Sequence, residues 1–161
     1  MPLDERVAAA LAAHGLAHEV HECDEALADT AAYCAHYGVP EDHSANCIVV
    51  AGKDEPRAYA ACIVLATTRL DVNQVVRRRL GARRASFATA DETVALTGMR
   101  IGGVTPFGLP PTLPLWIDAL VLERPWVIVG GGTRSAKVRL APASLLQLPG
   151  AERVEGLART A

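Results

Sequence analysis

Cys47-Ile-Val-Val-Ala51 and Arg57-Ala-Tyr-Ala-Ala-Cys-Ile-Val-Leu65 are two β-branched runs separated by Gly52-Lys-Asp-Glu-Pro56. β-Branched residues fit a pleated, buried surface, and Gly, Asp and Pro supply turn chemistry, so the pair predicts a hairpin at the centre of a sheet. Upstream, Val7 and Leu11 fall at helical spacing within 4–14, with Gly15 as a C′ residue. His18 to Glu22 alternates as a short strand, and Asp29 or Thr30 can cap a helix to about Tyr37, stopped by Gly38 and Pro40. Downstream, Asp71 caps a predicted helix Val72 to Leu80, and Asp91 another to about Thr97, ended by Gly81 and Gly98. Gly102 to Pro114 reads as irregular. Three more strands are expected at Leu115 to Val121, Trp126 to Val129 and Lys137 to Leu140. Pro142 opens a last helix to about Leu148, and 149–161 reads as a loose tail. The sum is one compact α/β domain over 1–161, its core 4–148, with a mixed, curved sheet of six or seven strands flanked by helices. The uneven spread of helices argues against a regular doubly wound order.

Composition supports one globular unit. The 161 residues are 50% hydrophobic and 21% charged, which excludes a disordered chain. A net charge of −2 gives no global attraction to nucleic acid, so any such contact needs a local patch. With aromatics at 4%, the core has to be aliphatic. Cys23, Cys34, Cys47 and Cys62 form no CxxC pair, and Cys47 and Cys62 sit in apolar runs as small hydrophobes. Asp4 and Glu5 stand where a signal peptide carries positive charge. Ala58 to Thr68 is too short to cross a bilayer, and Pro106, Pro110, Pro111 and Pro114 break Ile101 to Ile117. A cytoplasmic protein with reduced thiols and no membrane partner is expected.

Four local features invite chemistry. Gly130-Gly-Gly-Thr-Arg-Ser135 follows a strand but lacks the Lys and the helix of a phosphate loop, leaving a tight turn or a ligand-lining turn. Gly102-Gly-Val-Thr-Pro-Phe-Gly108 fixes an unusual backbone path, either an ordinary structured loop or one aiming successive N–H donors at a carbonyl. His14, His18, His21 and Cys23 have metal-ligand chemistry, but His18 and His21 fall on opposite faces of one strand, and no metal is expected. Five arginines lie between Arg77 and Arg84; Arg77, Arg78, Arg83 and Arg84 suit a phosphate backbone, or else a solvated helix end. No Ser-His-Asp order or Cys-His dyad stands out.

Gly98-Met-Arg-Ile-Gly-Gly-Val-Thr-Pro-Phe-Gly108 resembles the YbaK/EbsC family, the aminoacyl-tRNA deacylases also found as the editing insertion of bacterial prolyl-tRNA synthetases. Ser44-Ala-Asn-Cys-Ile-Val-Val-Ala51, Ala60-Ala-Cys-Ile-Val-Leu-Ala66 and Val127-Ile-Val-Gly-Gly-Gly132 agree with it in order and spacing. The resemblance implies a free-standing protein that hydrolyses the ester of mischarged tRNA without a cofactor. Its implied partners are the 3′ end and acceptor stem of aminoacyl-tRNA, together with an aminoacyl-tRNA synthetase, but not DNA. It also implies that Gly102, Gly103, Val104, Thr105 and Pro106 hold the ester carbonyl, that Gly131 and Gly132 line the same pocket, and that Ser44 is a nearby polar contact. The family usually carries a lysine two residues after that serine; this chain has Asn46. Asn keeps a donor but loses the charge that makes such a bond about twice as strong. The departure leaves two expectations open: a slower or altered deacylase, or a non-catalytic module that binds aminoacyl-tRNA or a small ligand.

Overall fold

The computed structural model describes residues 3–100 and 103–160. The central hairpin lies where the sequence puts it. β2 (Ala45–Gly52) and β3 (Tyr59–Leu65) pair antiparallel, with Asn46 opposite Val64 and Val50 opposite Ala60. They sit inside a five-stranded sheet ordered β5 (Ala85–Phe87), β2, β3, β6 (Leu115–Asp118) and β9 (Ala151–Val154). β5 joins β2 antiparallel, whereas β6 and β9 join in parallel, so the sheet is mixed. β1 (Glu19–Glu22), β8 (Ala136–Leu140) and β7 (Val127–Gly130) form a second, antiparallel sheet. β4 (Thr68–Leu70) and β10 (Ala158–Thr160) make a two-stranded ribbon. The mixed α/β domain stands, but its strands divide into three sheets rather than one.

The main core lies between the two larger sheets. Ala61, Ile63, Leu115 and Ile117 face Val127, Val129, Val138 and Leu140, and Val7 and Leu11 of α1 (Glu5–Ala13) close one side. Asp4 starts that helix by accepting from the amides of Arg6 and Val7. A second apolar cluster on the opposite face gathers Val50, Cys62, Val64 and Trp116 against Val76, Leu157 and Ala158. Asp71 caps the helical stretch that carries Val76 by accepting from the Gln74 amide, and α3 (Arg77–Leu80) ends at Gly81 with φ of 66°.

Several expected boundaries move for physical reasons. α2 (Thr30–Tyr37) matches its expectation, but α4 (Ala90–Thr97) is capped by Thr89, not Asp91. The Thr89 hydroxyl accepts from the Glu92 amide while Glu92 accepts from the Thr89 amide, a reciprocal pair that Asp91 cannot make. The strand expected to Val121 stops at Asp118 and turns into α5 (Ala119–Leu122). The helix expected from Pro142 is 3-10 in form, Pro142–Gln147. The expected loose tail is ordered as β9 and β10. The alternation in β9 is masked because Glu152 and Arg153 are both exposed at a sheet edge. The strand is held by its parallel pairing with β6 and by Arg79, which bonds Glu152 at 2.6 Å and stacks over Trp116.

Candidate functional site

β2 and β7 lie near each other without forming a ladder, joined by one isolated bridge just ahead of β2. Ser44 bridges Ile128 in parallel, and β5 takes up pairing with β2 only from Val50 onward. Between those points the β2 edge has no strand partner among the described residues, and a cavity of about 400 Å³ lies there. Ser44 lines it from just before β2, Asn46 and Cys47 from β2, Ile128 and Gly130 from β7, and Lys137 from β8. Asp29 and Thr30, at the start of α2, close one side; Phe87, Ala88 and Val104 close the other. Asn46 is exposed, and its Oδ1 accepts from the Thr30 hydroxyl at 3.5 Å. Phe87, at 57% exposure, leaves an uncovered aromatic face at the cavity mouth.

The two glycine-rich segments of the sequence form the wall between this cavity and a second one of about 400 Å³. Val104 faces the first cavity, while Gly103 and Thr105 face the second; likewise Gly130 faces the first and Gly132 the second. The buried Thr105 hydroxyl donates to the Gly130 carbonyl at 2.8 Å and ties the segments together. The amides of Val104 and Thr105 make no hydrogen bond to another described residue, whereas Gly103 donates to Arg100 at 2.8 Å. Gly131 lines neither cavity: its amide donates to Ala136, its carbonyl accepts from Asp4, and a Cβ there would meet Ala136 O at 2.7 Å. Pro106 is buried behind the wall, and Gly102 lies outside the described residues. Arg6, Arg100 and Arg134 line the second cavity.

The electrostatics of the first cavity are simple. Among the described lining residues only Asp29 and Lys137 are charged, and there is no imidazole. Asp29 is paired with Arg134 at 3.4 Å. The Lys137 ammonium makes no hydrogen bond or ion pair with another described residue and stands 5.1 Å above the Tyr33 ring. Burial holds its pKa below the ordinary lysine value; Cys23, Cys34 and Asp29 oppose that shift and Arg134 adds to it. Burial pushes the Cys47 thiol up to about 12, so it is protonated at neutral pH and is not a thiolate nucleophile. What remains is a half-apolar recess with free strand edges, neutral donors and one cation. It can hold and polarise a carbonyl compound rather than attack it.

The other sequence candidates lie elsewhere. Arg77 bonds the carbonyls of Asn73 and Ala82, and Arg78 bonds Gln74. Arg83 and Arg84 flank the β2–β5 end, where Lys53 donates to Arg84 O; their guanidinium groups have no described partner. None of these four lines either cavity. Among the described residues no three His, Cys, Asp or Glu side chains converge on a point that could hold a metal. No described helix is long and apolar enough to cross a membrane. Sequence reasoning passed over Lys137, because a single lysine in a strand has no spacing signature.

The mixed-sheet α/β domain thus holds a cleft beside β2 and β7, walled by the two glycine-rich segments and carrying Lys137 and Asp29 as its charged lining among the described residues. Residues 24–148 match the model of the aminoacyl-tRNA editing domain, and the chain belongs to that family, in keeping with its resemblance to YbaK/EbsC proteins. The fold is similar to that of the hypothetical protein APE2540, with 28% identity and a TM-score of 0.85 over 96% of this chain and 100% of that one. It is also similar to a candidate trans-editing enzyme for prolyl-tRNA synthetase, with 29% identity and a TM-score of 0.82 over 97% and 96% of the two chains.

Proposed function

We propose that this protein is a free-standing deacylase that hydrolyses the ester linking an amino acid to the 3′ end of a mischarged tRNA. The observation that carries this reading is the unpaired stretch between β2 and β7, opening onto Val104, whose amide has no described acceptor. An acyl group in that recess meets donors already fixed by the fold, so little reorganisation is needed as charge develops on its carbonyl oxygen. Val104 presents that backbone, Gly103, Thr105 and Pro106 set its path, and Ser44 and Asn46 add polar contacts. Gly130 and Gly132 brace the wall from the other side, with Gly131 locked behind them. Among the described residues the cavity offers no histidine to activate a protein nucleophile, which suits hydrolysis by water positioned at a polarised ester.

Phe87 at the mouth gives a terminal base a face to stack on, as single-stranded nucleic acid commonly requires. From there β5 leads back to Arg84 and Arg83, whose guanidinium groups, without a partner among the described residues, suit the phosphates of an acceptor stem.

The test is single-turnover deacylation of a panel of mischarged tRNAs by the wild type and by Asn46→Lys. Hydrolysis by the wild type is the expected result, and the fastest pair names the substrate. A silent wild type with an active Asn46→Lys replaces this reading with that of a binding module on an editing scaffold. Silence from both removes the catalytic reading.

A further inference from the structure

The cavity is built with a cation, but on a different strand from the one the family resemblance indicates. We propose that Lys137 is a catalytic residue of this site, its ammonium reaching across from β8 to hold the ester carbonyl that a lysine at position 46 would otherwise hold. This rests on the deacylase reading above.

Three observations carry it. Lys137 lies opposite Gly130 in the β7–β8 ladder, so its side chain leaves the sheet beside the strand whose edge walls the cavity. The flanking Ala136 and Val138 face the main core, which turns Lys137 to the other face, under α2 and toward the recess. There its ammonium has an aromatic face at 5.1 Å but no described carboxylate or carbonyl to satisfy it. A half-buried ammonium lacking an acceptor is costly to keep, and a ligand oxygen relieves that cost. Asn46 lines the same cavity, so one acyl group can meet both side chains.

In the reaction, the oxygen of water adds to the acyl carbon and negative charge gathers on the carbonyl oxygen. Lys137 stabilises that charge while keeping its own protons. The bond from the acyl carbon to the ribose oxygen then breaks, and a proton from the attacking water ends on the ribose. The products are a free amino acid and an uncharged tRNA end, with no redox partner required.

The groups facing Lys137 are His21 across β1, Cys23 beyond it, Asp29 before α2, Tyr33 and Cys34 on α2, and Arg134 in the preceding turn. Its burial lowers the pH at which the ammonium is lost, and activity requires the protonated form. The enzyme-dependent rate should therefore fall with rising pH earlier than an ordinary lysine would allow.

The experiment measures single-turnover rates, corrected for spontaneous hydrolysis, across pH. It compares wild type, Lys137→Met, Lys137→Arg and the double variant Lys137→Met/Asn46→Lys, each first checked by thermal melting. Lys137→Met should lose about 10²-fold or more in rate, the scale of one lost oxyanion donor. Lys137→Arg should keep part of the rate but lose the alkaline fall, and Asn46→Lys should restore activity to the Met variant. If Lys137→Met does not fold, Lys137→Gln carries the same comparison. A folded Met or Gln variant that works at the wild-type rate overturns the inference and leaves the deacylase reading intact. An alkaline fall that persists in Lys137→Arg also overturns it. A wild type inactive on every tRNA overturns the deacylase reading, and this inference with it.

Discussion

At Gly132 the backbone has φ of 85°, and a Cβ would stand 2.5 Å from the Cβ of Asp4. Asp4 is the N-cap of α1, so any side chain at 132 would push directly on the start of that helix. Gly132→Ala should cost about 2–4 kcal/mol, combining left-handed strain with overpacking, read as a shift in the urea midpoint. Gly15 is the control: its φ is also positive, at 60°, but nothing lies within 4 Å of its Cβ position. Gly15→Ala should cost only the backbone term, about 1 kcal/mol. The family resemblance assigns Gly131 and Gly132 to the pocket, whereas Gly130 lines the first cavity, Gly132 the second and Gly131 neither. Which one walls the site, which is locked behind it and which braces α1 depends on neighbours far along the chain. Lys137 shows the same limit, since its meaning comes from its ladder position beside Gly130 and from the packing of α2 above it.

Among the elements, those with strong local chemistry were legible. The β-branched runs and the Gly-Lys-Asp-Glu-Pro turn define the central hairpin, and Gly38, Gly81 and Gly98 end their helices in the left-handed conformation. The C-terminal strands were not legible. β9 is four residues long with two charged side chains outward, and only its pairing with β6 makes it a strand. This gives a test: a chain ending at Gln147 loses the β6 partner as well as Val154, Leu157 and Ala158 from the second cluster. It should fail to show a cooperative thermal transition. A finer probe is Asp118→Ala. The fully buried Asp118 accepts from the buried amide of Ala158 at 3.2 Å, and losing that acceptor should cost about 1–3 kcal/mol. Thr89→Ala should remove the α4 cap at a cost of about 1 kcal/mol, with deacylation rates unaltered.

For the whole molecule, the near-neutral charge places the burden of any tRNA recognition on local groups. The Arg83 and Arg84 guanidinium groups have no partner among the described residues, whereas Arg77 is bonded to backbone carbonyls and Arg79 to Glu152. Replacing Arg83 and Arg84 with Ala should weaken tRNA binding and lower its salt slope by nearly one for each phosphate no longer neutralised. Replacing Arg77 should leave that slope unchanged. Phe87→Ala should weaken binding with little change in slope, because stacking releases few counterions.

The single bridge between Ser44 and Ile128 bears on how this protein can evolve. The recess is unfinished sheet: one more ladder step between β2 and β7 would add hydrogen bonds and bury apolar surface. Selection for heat resistance alone therefore favours zipping the strands together, and the hardiest descendants of this chain would be those least able to admit a substrate.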